Sequence, residues 1–89
     1  MESIIQEYLD MLNEEIALAK GYSEKYIECK IKNDKNAIYF YNMTNDSLAH
    51  ATKIHEIIHE VLPAEYLQQW KTVHDKFELK VGVVRTILG

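Results

Sequence analysis

The chain has 89 residues, 47% of them hydrophobic and 27% charged, the balance of one globular domain close to the lower size limit for a self-sufficient core. A formal charge of −4 leaves no basic stripe to displace counterions from phosphates, so no nucleic-acid partner is expected, and the single cysteine excludes an intrachain disulfide and points to a reducing compartment. Met1-Glu2-Ser3-Ile4 lacks the basic start and apolar run of a signal peptide, and no apolar stretch approaches the ~18 residues of a membrane span, so the expectation is a cytoplasmic protein without membrane contact.

The first element is a helix over about Glu2 to Asn33. Ile5, Tyr8, Leu12, Ile16, Ala19, Ser23, Tyr26 and Lys30 recur at steps of three and four, which is one helical face, and Glu15 and Lys20 lie at its edges. Gly21 costs about 1 kcal/mol relative to alanine, but the stripe keeps its phase across it, so the helix is read as continuous. Asn33-Asp34-Lys35-Asn36 supplies turn and capping residues.

A second helix follows to about Val61 and carries three of the four histidines. Its apolar arc centres on Ser47, Ile54 and Val61, with Phe40, Met43, Ile57 and Ile58 widening it beyond what one neighbour covers. That width predicts self-association, completing a four-helix or larger bundle. Pro63 suits the first turn of a third helix, making the link tight and the neighbours antiparallel. The third helix shows a heptad of Leu67, Trp70, His74, Phe77, Val81, Val84 and Leu88, with Gly82 off the seam. No segment alternates with period two. The predicted fold is therefore all-α, an antiparallel three-helix bundle forming a single domain over residues 1–89.

His55-Glu56-Ile57-Ile58-His59 spells H-E-x-x-H. In zinc peptidases two histidines at i and i+4 share a helix face and hold Zn²⁺ while the glutamate activates its water, and Glu78 can be cast as a third ligand here. On the helical wheel, however, His55 falls at the margin of the apolar arc and His59 outside it, toward solvent, where a zinc hydrolase would lack a dry pocket. His50 and His74 instead project into the stripes of their helices. A core histidine is more often a hydrogen-bonded packing residue than a ligand.

Asp46-Ser47-Leu48-Ala49-His50-Ala51 with Ile54-His55-Glu56 resembles the E-x-x-H-A stretch on a metal-bearing helix, and Glu14 to Tyr22 and Trp70 with His74-Asp75-Lys76 extend the likeness to the other helices. The chain thus resembles ferritin-like and rubrerythrin-like proteins, in particular small ones carried by phages and prophages of low-GC bacteria. The resemblance implies a helical hairpin plus a third helix around a metal centre. Ser47, Lys20 and Val73 stand where acidic residues are expected, so the implied di-iron oxidase or storage chemistry is lost. Glu15, His50 and His74 are left as candidate ligands, with Asp46 and Glu78 on the flanks. If His74 faces His50 across antiparallel helices, the three make an open site suited to a single Zn²⁺, or to Fe. The first reading is a non-catalytic helical protein acting through protein contacts, with a host-cell protein, including a defence component it inhibits, as the partner the resemblance implies. The second is a metal-binding ferritin-like protein or an H-E-x-x-H zinc hydrolase.

Overall fold

Asn33 makes the first corner of the chain. Its φ of 54° is left-handed, a conformation asparagine tolerates better than most residues. The Asn33 N–H donates to the Lys30 carbonyl (3.2 Å) and the Asp34 N–H to the Cys29 carbonyl (2.8 Å), closing the end of α1 (Glu2–Ile31) with a Schellman pair. The Asp34 carboxylate then accepts the Asn36 N–H (2.8 Å), and the Asn36 carbonyl accepts the N–H groups of Tyr39 and Phe40, starting α2 (Ala37–Val61). The polar run 33–36 is a turn for these local reasons.

The computed structural model describes residues 2–89, with side chains described for residues 5–66 and 68–89. Every element among them is helical, and α1 runs through Gly21 without a break. The second corner differs in one detail from the expectation. Leu62 is extended (ψ 124°), as a residue before proline must be, but Pro63 does not open the third helix. A 3-10 turn over Ala64–Tyr66 follows it, with the Tyr66 N–H donating to the Pro63 carbonyl (2.9 Å), and α3 occupies Leu67–Leu88. The result is a thin body of 51 × 18 × 14 Å.

α1 and α2 are the most intimately packed pair. Tyr26 meets Tyr41 near the turn (ring centroids 5.4 Å), and Glu15 meets His50 farther from it. The seam is made of small side chains: Ala19, Ser23, Thr44 and Ala51 are fully buried and Ser47 nearly so. Small residues let the backbones approach and fill the space at crystal-like density. Their hydroxyls would be costly to bury unpaired. Ser23 Oγ donates to the Lys20 carbonyl (2.7 Å) and Thr44 Oγ1 to the Phe40 carbonyl (2.8 Å), so each is satisfied within its own helix. Leu12, Ile16, Leu48, Ile54, Ile58, Phe77, Val81 and Val84 complete the core. Of the α3 heptad, Phe77, Val81 and Val84 are buried and Trp70, His74 and Leu88 half-buried, with Gly82 off the seam and exposed, while the Leu67 side chain lies outside the described residues. α3 lies along one side of the α1–α2 pair and touches α1 more than α2.

Candidate functional site

The small-residue seam also decides which histidines turn inward. The residues of α2 that are buried, Thr44, Ser47, Leu48, Ala51, Ile54 and Ile58, centre roughly 50° away from the arc drawn through Ser47, Ile54 and Val61, taking 100° per residue. The rotation is toward His55 and away from His50. Large apolar side chains widened the expected arc on the side of Met43, Ile57 and Val61, whereas close packing of α1 selects the face with threonine, serine and alanine.

The three residues of the expected Glu15, His50 and His74 grouping fall in two places. His50 is not in the core: its side chain is 65% exposed and its Nδ1 lies 3.5 Å from Glu15 Oε2 on the surface. His74 belongs elsewhere, with its Nδ1 3.2 Å from Nε2 of His55. The 3-10 turn at Ala64–Tyr66 accounts for the change of partner. It moves the midpoint of the link toward residues 64–65, so that α3 slides along α2 and position 74 meets 55. Glu15 and His50 are brought together; His74 is separate from both. Ser47 is buried, while Asp46 and Lys20 are exposed.

His55 is the centre of the more organised cluster. Its ring stacks on Phe77 (4.2 Å between centroids, 20° between planes) and packs against Trp70 at 4.5 Å. His59, one turn farther along α2, is exposed but lies 5.0 Å from the same indole. His55, Glu56, His59, Glu60, Trp70 and His74 line a shallow groove between α2 and α3. Burial first, and then the neighbouring His74, hold the His55 imidazole below the ordinary histidine value, with His59 adding to this and Glu78 and Glu56 opposing it. The contact with His74 therefore joins two imidazoles that are best accommodated with at least one neutral, an N–H on one ring donating to the bare nitrogen of the other.

The H-E-x-x-H residues are thus divided between environments: His55 is half-buried among aromatics, and Glu56 and His59 face solvent. The open groove does not enclose a water as hydrolysis at a zinc ion requires. Among the described residues, no three ligand-type side chains are already gathered about a common point. Trp70, His74 and Phe77 at i, i+4 and i+7 are the sequence signal for the cluster.

A second feature lies on the far side of α1 and α2. α3 fills one flank of the pair. On the other, by their helical phase at 100° per residue, Met11 (48%), Leu18 (46%), Met43 (38%) and Val61 (39%) remain exposed along the side that also carries the Glu15–His50 contact. α3 itself presents Leu79 and Val83 outward beside Gly82 and Thr86. No helix is long and apolar enough to cross a membrane among the described residues. No family model, curated protein sequence or solved structure matches the chain.

Proposed function

We propose that the chain is an antiparallel three-helix bundle that acts through protein contacts, and that the first of these is with a second copy of itself. The observation carrying this reading is the flank of α1 and α2 opposite α3, where four large apolar side chains from two helices stay more than a third exposed. In a four-helix bundle both flanks of a helix pair are covered. A two-fold partner would cover this one with the same surface, bringing α1 and α2 of each copy into one core. Glu15 and His50 would sit within that interface, each near a polar partner. The ferritin-like resemblance extends the reading to a host-cell protein bound and inhibited by that assembly.

Sedimentation equilibrium over a micromolar range tests it. The mass should exceed the 10.4 kDa of one chain and fall to that value in Leu18→Lys combined with Met43→Lys. Both side chains are partly solvent-facing, so helicity should be retained. Leu79→Lys with Val83→Lys on α3 should leave association unchanged. A monomeric wild-type chain, or association lost only in the α3 variant, would sink the reading.

A further inference from the structure

We propose that His55 and His74 form the fixed half of a binding site for a borderline divalent transition ion, Zn²⁺ foremost, with His59 turning in as the third ligand. The site is independent of the self-association surface, on the opposite side of α2, and it differs from the Glu15–His50–His74 grouping.

Geometry carries the argument. Two nitrogens bound at 2.0–2.1 Å to a tetrahedral ion stand about 3.3 Å apart. His55 Nε2 and His74 Nδ1 are 3.2 Å apart across the α2–α3 groove. The bite distance is therefore already that of a chelate, and binding requires each ring to tilt its lone pair from the other nitrogen toward a common point. Both rings are held from behind. His55 is clamped between Phe77 and Trp70, whose centroids lie 4.2 and 4.5 Å from its own, and His74 is half-buried on α3. Their orientation is fixed by packing before an ion arrives, which removes part of the cost of ordering ligands.

The third position is supplied by sequence spacing. His59 follows His55 by four residues, so its Cβ lies one turn along the same face of α2. It is exposed, with its ring 5.0 Å from Trp70 at the edge of the same groove. Among the described residues no three ligands are preassembled, and the movement of His59 is the step that completes the set. Three imidazoles and a fourth position open to solvent suit Zn²⁺, Co²⁺, Ni²⁺ or Cu²⁺ and not Mg²⁺ or Ca²⁺, which take oxygen ligands. Glu60 on the groove and Glu78 near His55 add negative charge that favours a cation, Glu56 being already paired with Lys53 at 3.5 Å. On binding, each nitrogen donates a lone pair to the metal, and the proton of the His55–His74 hydrogen bond moves to the far ring nitrogen or to solvent.

Calorimetric titration of the chelator-treated full chain with Zn²⁺ tests the site. Ni²⁺ titration followed by fluorescence provides a second reading, because Trp70 is the one tryptophan and sits beside His55 and His59. The expected result is one Zn²⁺ per chain, quenching of Trp70 by Ni²⁺, and a melting temperature raised by Zn²⁺. His74→Gln should weaken binding by no less than the about 10–100-fold that loss of an outer-shell partner costs. His59→Gln should weaken it as well, and His50→Gln should leave it unchanged. Should His55→Gln lose its fold, His74→Gln, judged folded by circular dichroism, decides the matter. No stoichiometric Zn²⁺, one ion per two chains, or binding that survives His74→Gln would each overturn the proposal.

Discussion

His55 and His74 meet nitrogen to nitrogen at 3.2 Å, nineteen residues apart in sequence, and this contact marks the register of α2 against α3. His59 and Trp70 repeat the same register one turn farther toward the 3-10 turn. α2 and α3 share few other contacts, so these aromatic and imidazole rings account for much of how the third helix is held to the second.

Burial of His55, with His74 beside it, makes stability pH-dependent. His55 lies below its ordinary value of 6.5 in the folded chain, chiefly because it is buried and next because His74 is near. A depressed basic group favours folding when neutral: its contribution is complete above the unfolded value and is lost as pH falls through the folded one. In metal-free buffer the melting temperature should fall as pH is lowered from 7 toward 5. His55→Phe, which keeps an aromatic ring against Phe77, should flatten part of that fall. An unchanged slope in the variant would assign the pH dependence to other groups.

The seam between α1 and α2 has no room for larger side chains. Ala19 and Ala51 have no exposed surface and belong to the buried core with Leu12, Ile16, Leu48 and Ile54. Ala51→Leu should therefore destabilise the chain by about 1–3 kcal/mol or more, because overpacking forces the backbones apart. Urea denaturation measures it. A loss under half a kilocalorie would mean that the helices are not in close contact at that point.

Gly21 is the opposite case. It lies in the middle of α1, and a Cβ there would meet nothing within 4 Å. Nothing in the packing requires glycine, so Gly21→Ala should stabilise the chain by about 0.8–1.0 kcal/mol through helix propensity. Gly82→Ala on α3 should behave alike, for the same reason. A destabilising result at either site would point to a close approach by another molecule.

Much of the fold is legible in the sequence because its signals are local. The steps of three and four from Ile5 to Tyr26 mark α1, the cluster Asn33–Asn36 marks the turn, and Trp70, Phe77, Val81 and Val84 mark the inner face of α3. The site is less legible, for two physical reasons. Helical wheels weight large apolar residues, whereas α1 and α2 meet through Ala51, Ser47 and Thr44, and this rotates His50 out and His55 in. Register also depends on link length, and the 3-10 turn at Ala64–Tyr66 replaces the expected helical start at Pro63. His59 facing solvent, by contrast, follows from the wheel alone.

The proposed association surface is tested most directly through its methionines. The sequence holds three, and Met11 and Met43 both lie on the α1–α2 flank opposite α3. With methyl-labelled methionine, a dilution series followed by carbon–proton NMR reports on that flank residue by residue. If the chains associate through this flank, the Met11 and Met43 methyl resonances shift together with concentration and become less accessible to a soluble paramagnetic agent. Methyl signals that stay fixed and fully accessible at every concentration would contradict association through this flank.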